Sequence, residues 1–136
     1  MDTKEYLQAR KSPNWKFNMI VPAGSFRSIR KVHPIKQAEV KAIVDVAKTD
    51  PNVKRIIIFG SSTRYDCDLS SDLDICIDWN QSCYDEEGVL MPFTKNMRQC
   101  ISKTTKGNAD VINYGYFNED IRKAVEEGVV VYEHDV

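Results

Sequence analysis

The chain has 136 residues, 42% hydrophobic and 29% charged, a make-up that fits one small globular domain. Its longest apolar stretches are five residues or fewer, which excludes a membrane-spanning helix, and its polar start carries no apolar signal core, so the cytoplasm is the expected compartment. The net charge of −1 conceals a split: residues 1–41 carry nine Lys or Arg against three acids, and the remainder carries ten against seventeen.

Residues 1–12 are expected to be a frayed end or a short helix. In 15–21 the apolar Trp15, Phe17, Met19 and Val21 alternate with Lys16 and Asn18, the period of a half-buried strand. Pro22-Ala23-Gly24-Ser25 reads as a turn and 26–32 as a return strand, so residues 1–34 form a basic N-terminal extension, readable as a β-hairpin, ahead of a main domain at 35–136. The ordinary reading of that basic arm is a solvated surface balancing an acidic body. The other is a contact with an anionic partner, nucleic acid or the acidic face of a protein, and no motif singles out nucleic acid.

After Pro34, Val40, Ile43, Val44 and Ala47 recur at helical spacing, and Asp50-Pro51-Asn52 closes the helix. The β-branched run from Val53 to Phe59 suits a strand buried on both faces and ends at Gly60-Ser61. A polar loop follows. Residues 72–79 then alternate, with Leu73, Ile75, Ile77 and Trp79 on one face and Asp72, Asp74, Cys76 and Asp78 on the other. Phe93, Met97, Cys100, Ile101 and Thr104 mark a second helix ending near Gly107, and 109–114 is a third strand. Asn118 can cap a last helix that stops at Gly128, and 129–132 is a closing strand. The expected fold is therefore α/β (α+β), a mixed sheet with flanking helices. Cys67, Cys76, Cys83 and Cys100 lie at irregular spacings without a CxxC pair, which argues for free thiols rather than a zinc site or disulfides.

The segments that carry chemistry are Gly60-Ser61, Asp72-Leu73-Asp74 and Asp110. Aspartates at i and i+2 on a strand project to one face, with Cα atoms about 6.5–7 Å apart. Two carboxylates aimed at one point repel, and a divalent cation resolves the conflict; hard oxygen ligands favour Mg²⁺. Gly60 allows backbone N–H groups to approach a phosphate closely, and Ser61 adds a hydroxyl. Asp110, at the start of the third strand, can face the same point, completing the carboxylate set that two-metal phosphoryl chemistry needs. Each piece alone has an ordinary structural explanation as a turn, cap or solvated face. Their conjunction does not. Asp78 shares the face of Asp72 and Asp74 but lies further along the strand, outside the site.

This run resembles the minimal nucleotidyltransferases of the DNA polymerase β superfamily: an apolar strand, G-S, about ten residues, D-x-D, and a later strand-borne acid. Gly60, Ser61, Asp72, Asp74 and Asp110 stand at those places, Arg64 matches a common position in the loop, and 121–133 looks like the closing helix and strand. The resemblance covers about residues 38–133. Tyr65 departs from it, standing where Gly is usual, and residues 1–34 have no counterpart. The resemblance implies transfer of a nucleotide, AMP from ATP above all, to an acceptor hydroxyl. Asp72, Asp74 and Asp110 would be catalytic and metal-binding, with Gly60, Ser61 and Arg64 on the nucleotide. It also implies a small helical HEPN partner, as in bacterial toxin–antitoxin pairs. The alternatives are a catalytically idle binding module of the same fold, and a transferase acting on a small molecule.

Overall fold

Helix α1 (Pro34–Ala47) begins on a proline, whose missing N–H is no loss in a first turn. Its stripe of Val40, Ile43, Val44 and Ala47 is completely buried. The computed structural model describes Val32, residues 34–63, Cys67 and residues 71–134. The expected N-terminal hairpin therefore lies outside the described residues. Val32 alone is described from it; it is in no strand, is buried with the α1 stripe, and its carbonyl accepts from Gln37 Nε2 at 2.9 Å.

Strand β1 (Val53–Phe59) is followed by a one-turn 3₁₀ segment (Gly60–Thr63), β2 (Leu73–Trp79), α2 (Pro92–Thr105), β3 (Ala109–Asn113), α3 (Glu119–Glu126) and β4 (Val129–Glu133). The third strand stops at Asn113, one residue short of the expectation, because Tyr114 turns away into the exposed link to α3. The sheet order is β3-β2-β1-β4, with β1 antiparallel to both neighbours and β2 parallel to β3. The parallel pair requires a crossover, and α2 supplies it.

The alternation in β2 sorts its side chains between two layers. Leu73, Ile75, Ile77 and Trp79 join the main core with the α1 stripe, Met97 and Ile101 of α2, and Val129 and Val131 of β4. Cys76 faces the other way, with Ile57 and Phe59 of β1, beneath Ile121, Ala124 and Val125 of α3. The result is a small α+β domain in which a four-stranded mixed sheet lies between α1 and α2 on one side and the short α3 on the other.

Asn118 caps α3 as expected, its side chain accepting from the Ile121 N–H at 2.9 Å. The role of Gly128 differs from the expectation. The helix ends on Glu127 in a right-handed conformation, so no left-handed glycine stops it. Gly128 is instead required by close approach: a Cβ there would lie 2.7 Å from the Ile58 carbonyl oxygen and 2.8 Å from Ile57 Cγ2. Gly128→Ala is expected to lower stability by about 1–3 kcal/mol through overpacking. Urea unfolding monitored by circular dichroism checks this.

Candidate active site

The turn from β1 into the 3₁₀ segment is shaped by Gly60, whose φ of +73° is a left-handed conformation that other residues adopt only under strain. Strand β1 also pairs Phe59 with Asp74 of β2, which brings the turn against that aspartate. A Cβ at position 60 would sit 2.2 Å from Asp74 Oδ2. Gly60 thus does two things at once: it reverses the chain and leaves room for the half-buried Asp74 carboxylate.

Asp110 of β3 is the register partner of Asp74 across the parallel pair. Paired strands are about 4.8 Å apart, so these two aspartates project side by side on the α3 face. Asp72, two residues before Asp74, immediately precedes β2 at the same end of the sheet. Asp72 and Asp110 are exposed. Helix α3 covers the middle of this face and leaves the end carrying the aspartates open. A cavity of about 180 Å³ adjoins it, lined by Gly60, Thr63, Ala124 and Glu127.

The backbone that presents the aspartates is held from several directions. Ser62 is fully buried and its hydroxyl donates to the Asp72 carbonyl at 3.4 Å, while Thr63 Oγ1 donates to the Gly60 carbonyl at 2.8 Å. The Leu73 N–H donates to the Asn108 carbonyl at 3.0 Å, tying the start of β2 to the residues just before β3. The Ser71 carbonyl accepts from Lys36 Nζ at 2.6 Å and from Asn108 Nδ2 at 3.1 Å. Lys36 is only 3% exposed. It therefore does not belong to a solvated basic arm, as the charge count implied; its position on the core-facing stripe of α1 turns it inward.

The structure thus brings Gly60, Asp72, Asp74 and Asp110 to one open end of the sheet, with Ser61 half-buried in the adjoining turn. Arg64 lies outside the described residues. Lys36, Asn108 and Ser62 are further residues of the site's framework that sequence reasoning passed over. The one signal in the chain was a lysine four residues before Val40, on the apolar stripe.

Asp78 is occupied elsewhere. Its carboxylate pairs with Arg55 Nε at 3.1 Å, and the Arg55 guanidinium lies 4.9 Å from the centre of the Tyr114 ring. Between the two ends of this face, burial first and the Asp78 charge second push the Cys76 thiol up to about 12, so it stays protonated and unreactive near neutrality. None of the four cysteines is in a disulfide.

Among the described residues no three His, Cys, Asp or Glu side chains are gathered tightly enough to hold a metal ion. The backbone register places Asp74 and Asp110 beside each other in one patch. The donor set nonetheless fits Mg²⁺: the groups that would hold it are carboxylates, two of them on registered strands, beside a glycine whose missing Cβ leaves space at Asp74 Oδ2. No described helix is long and apolar enough to cross a membrane.

No curated protein matches the chain. Among solved structures, a Sulfolobus solfataricus protein provisionally described as a nucleotidyltransferase is similar, at 19% identity and a TM-score of 0.44, over 98% of this chain and 91% of that one. At that distance the likeness carries nothing about activity. Residues 41–136 match the family described as Polymerase beta, Nucleotidyltransferase, well over half of the chain and the whole stretch from Gly60 to Asp110. The chain belongs to the polymerase beta nucleotidyltransferase family.

Proposed function

We propose that this protein is a Mg²⁺-dependent nucleotidyltransferase that moves a nucleoside monophosphate, AMP from ATP before other NTPs, to an acceptor hydroxyl. The observation that carries the reading is the registered pair Asp74 and Asp110 beside Gly60, in a chain of this family. Asp72 and Asp74 would hold the metal, and Asp110 would share it. When bound, Mg²⁺ neutralises charge on the attacking and leaving oxygens of an in-line displacement.

The chain's own groups do the rest. Backbone N–H groups of the Gly60-Ser61 turn cradle the terminal phosphates, glycine allowing the backbone to approach them closely. Arg64 pairs with a phosphate. Asp110, exposed at the edge of the patch, orients the acceptor hydroxyl and takes up its proton as the oxygen attacks the α-phosphate and pyrophosphate leaves.

A domain of this size offers little surface of its own for binding an acceptor, which favours an acceptor brought by a partner protein. The exposed Tyr84, Tyr114 and Tyr116 support this, since tyrosine is enriched in protein interfaces relative to the rest of the surface. A small helical HEPN-type partner, in a toxin–antitoxin pair, is the partner we infer. A solvated cytoplasmic setting suits such a pair.

Asp110→Asn is expected to abolish transfer while retaining much of the Mg–NTP binding. The same change relieves repulsion with Asp74, so the variant should melt at or above the wild-type temperature. Full activity in a folded Asp110→Asn variant overturns the role given to Asp110. The second reading is an idle domain of this fold that neutralises or scaffolds a partner. It predicts no transfer with any NTP.

A further inference from the structure

Lys36 is the one buried cation among the described core residues, and nothing in the proposed chemistry uses it. It lies ahead of the family-matched stretch, which begins at residue 41. Its place on α1, four residues before Val40 and seven before Ile43, is one that an apolar side chain would fill on packing grounds alone. Burying an ammonium group is costly unless strong hydrogen bonds compensate. Glu39, 3.9 Å away, is half-exposed and gives limited compensation, whereas the 2.6 Å bond to the Ser71 carbonyl is short and charge-assisted.

The target of that bond is informative. Ser71 immediately precedes Asp72, and its carbonyl also accepts from Asn108, which immediately precedes β3 and stands two residues before Asp110. One carbonyl oxygen thus joins α1, the start of β2 and the approach to β3, at the point from which two of the three aspartates emerge. We propose that Lys36, together with Asn108, is a positioning residue of the carboxylate cluster: the two donors converge on the Ser71 carbonyl and fix the backbone that presents Asp72 and Asp110. The inference rests on the metal-binding role given to these aspartates above.

Carboxylates that must close on one cation gain from a rigid base, because any slack in the backbone is lost when the ion binds. Groups that orient metal ligands in this way commonly change metal affinity by about ten- to a hundred-fold when removed. A residue that merely fills the core changes stability alone.

The test is Mn²⁺ binding to the full chain, read from the EPR signal of the free ion at a temperature where circular dichroism shows every variant folded. The variants are Lys36→Met, which keeps the length and removes the donor, Asn108→Ala, Asp74→Asn, and Val44→Ala from the same helix stripe. Lys36→Met is expected to weaken Mn²⁺ binding by about ten-fold, and Asn108→Ala by a smaller factor. Val44→Ala should lower the melting temperature and leave the affinity unchanged. If Lys36→Met does not fold, Asn108→Ala carries the same comparison.

Wild-type affinity in Lys36→Met and Asn108→Ala, with binding lost in Asp74→Asn, overturns the positioning role and leaves the metal site standing. Equal weakening in Val44→Ala also overturns it, because the effect would then be one of stability. Wild-type affinity in Asp74→Asn overturns the metal site and this inference together.

Discussion

Asp74→Asn is expected to remove nucleotidyl transfer by about a thousand-fold or more while leaving the domain folded. Metal-assisted phosphoryl transfer draws several kcal/mol from charge stabilisation at the reacting oxygens. At about 1.4 kcal/mol per tenfold in rate, loss of that stabilisation reaches this size. Asp74 is the right residue for the largest effect because it is central to the patch. It is the register partner of Asp110 on one side and of Phe59 on the other, and it touches the space left by Gly60. Asparagine keeps the shape and removes the charge, so circular dichroism should be unchanged. The check is initial rates with labelled NTP, wild type and variant side by side, over a range of Mg²⁺ concentrations. A variant within a few-fold of wild type would remove Asp74 from the chemistry.

Gly60→Ala is the second large effect, and it acts on both stability and activity. A left-handed conformation costs a non-glycine residue about 1–2 kcal/mol. The added Cβ also meets Asp74 Oδ2 at 2.2 Å, far inside ordinary contact distance, so either the turn opens or the carboxylate swings away. Both responses displace the group on which transfer depends. The variant is expected to melt several degrees lower and to lose activity to about the same extent as Asp74→Asn. The double variant should be little worse than either single one, because both changes disable the same carboxylate. Additive losses in the double variant would show that Gly60 acts independently of Asp74, as a turn and phosphate contact alone.

The strands and helices that bury one clean face were readable before any coordinates. The α1 stripe and the alternation of β2 each follow one period over enough residues to leave no competing pattern, whereas the run from Val53 to Phe59, a strand buried on both faces, is marked by its β-branched composition. The site was readable in part for the same reason. Once β2 alternates, Asp72 and Asp74 must share a face. Adjacency of Asp110 depends on β3 pairing with β2 in parallel and in this register, which no periodicity within either strand reveals.

What escaped the sequence depends on distant backbone. Gly128 looked like a helix stop, and its need for glycine lies in the Ile58 carbonyl, seventy residues away in the chain. Lys36 counted as one of nine charges in a basic arm, and its burial depends on meeting the Ser71 carbonyl thirty-five residues away. Ser62 and Asn108 are polar residues of loops by composition. Their hydrogen bonds to the carbonyls of Asp72 and Ser71 appear only when β1, β2 and β3 are assembled. In each case a local pattern predicts a role that a long-range contact then replaces.

The most direct measurement is incubation with α-³²P-labelled ATP and Mg²⁺, with and without a helical partner or cell lysate, for wild type and Asp74→Asn. The expected result is label on a protein acceptor, dependent on Mg²⁺ and absent with Asp74→Asn. No label on any acceptor with any of the four NTPs, from a folded chain that also fails to bind Mg–NTP, would contradict the catalytic reading and leave the idle binding module in its place.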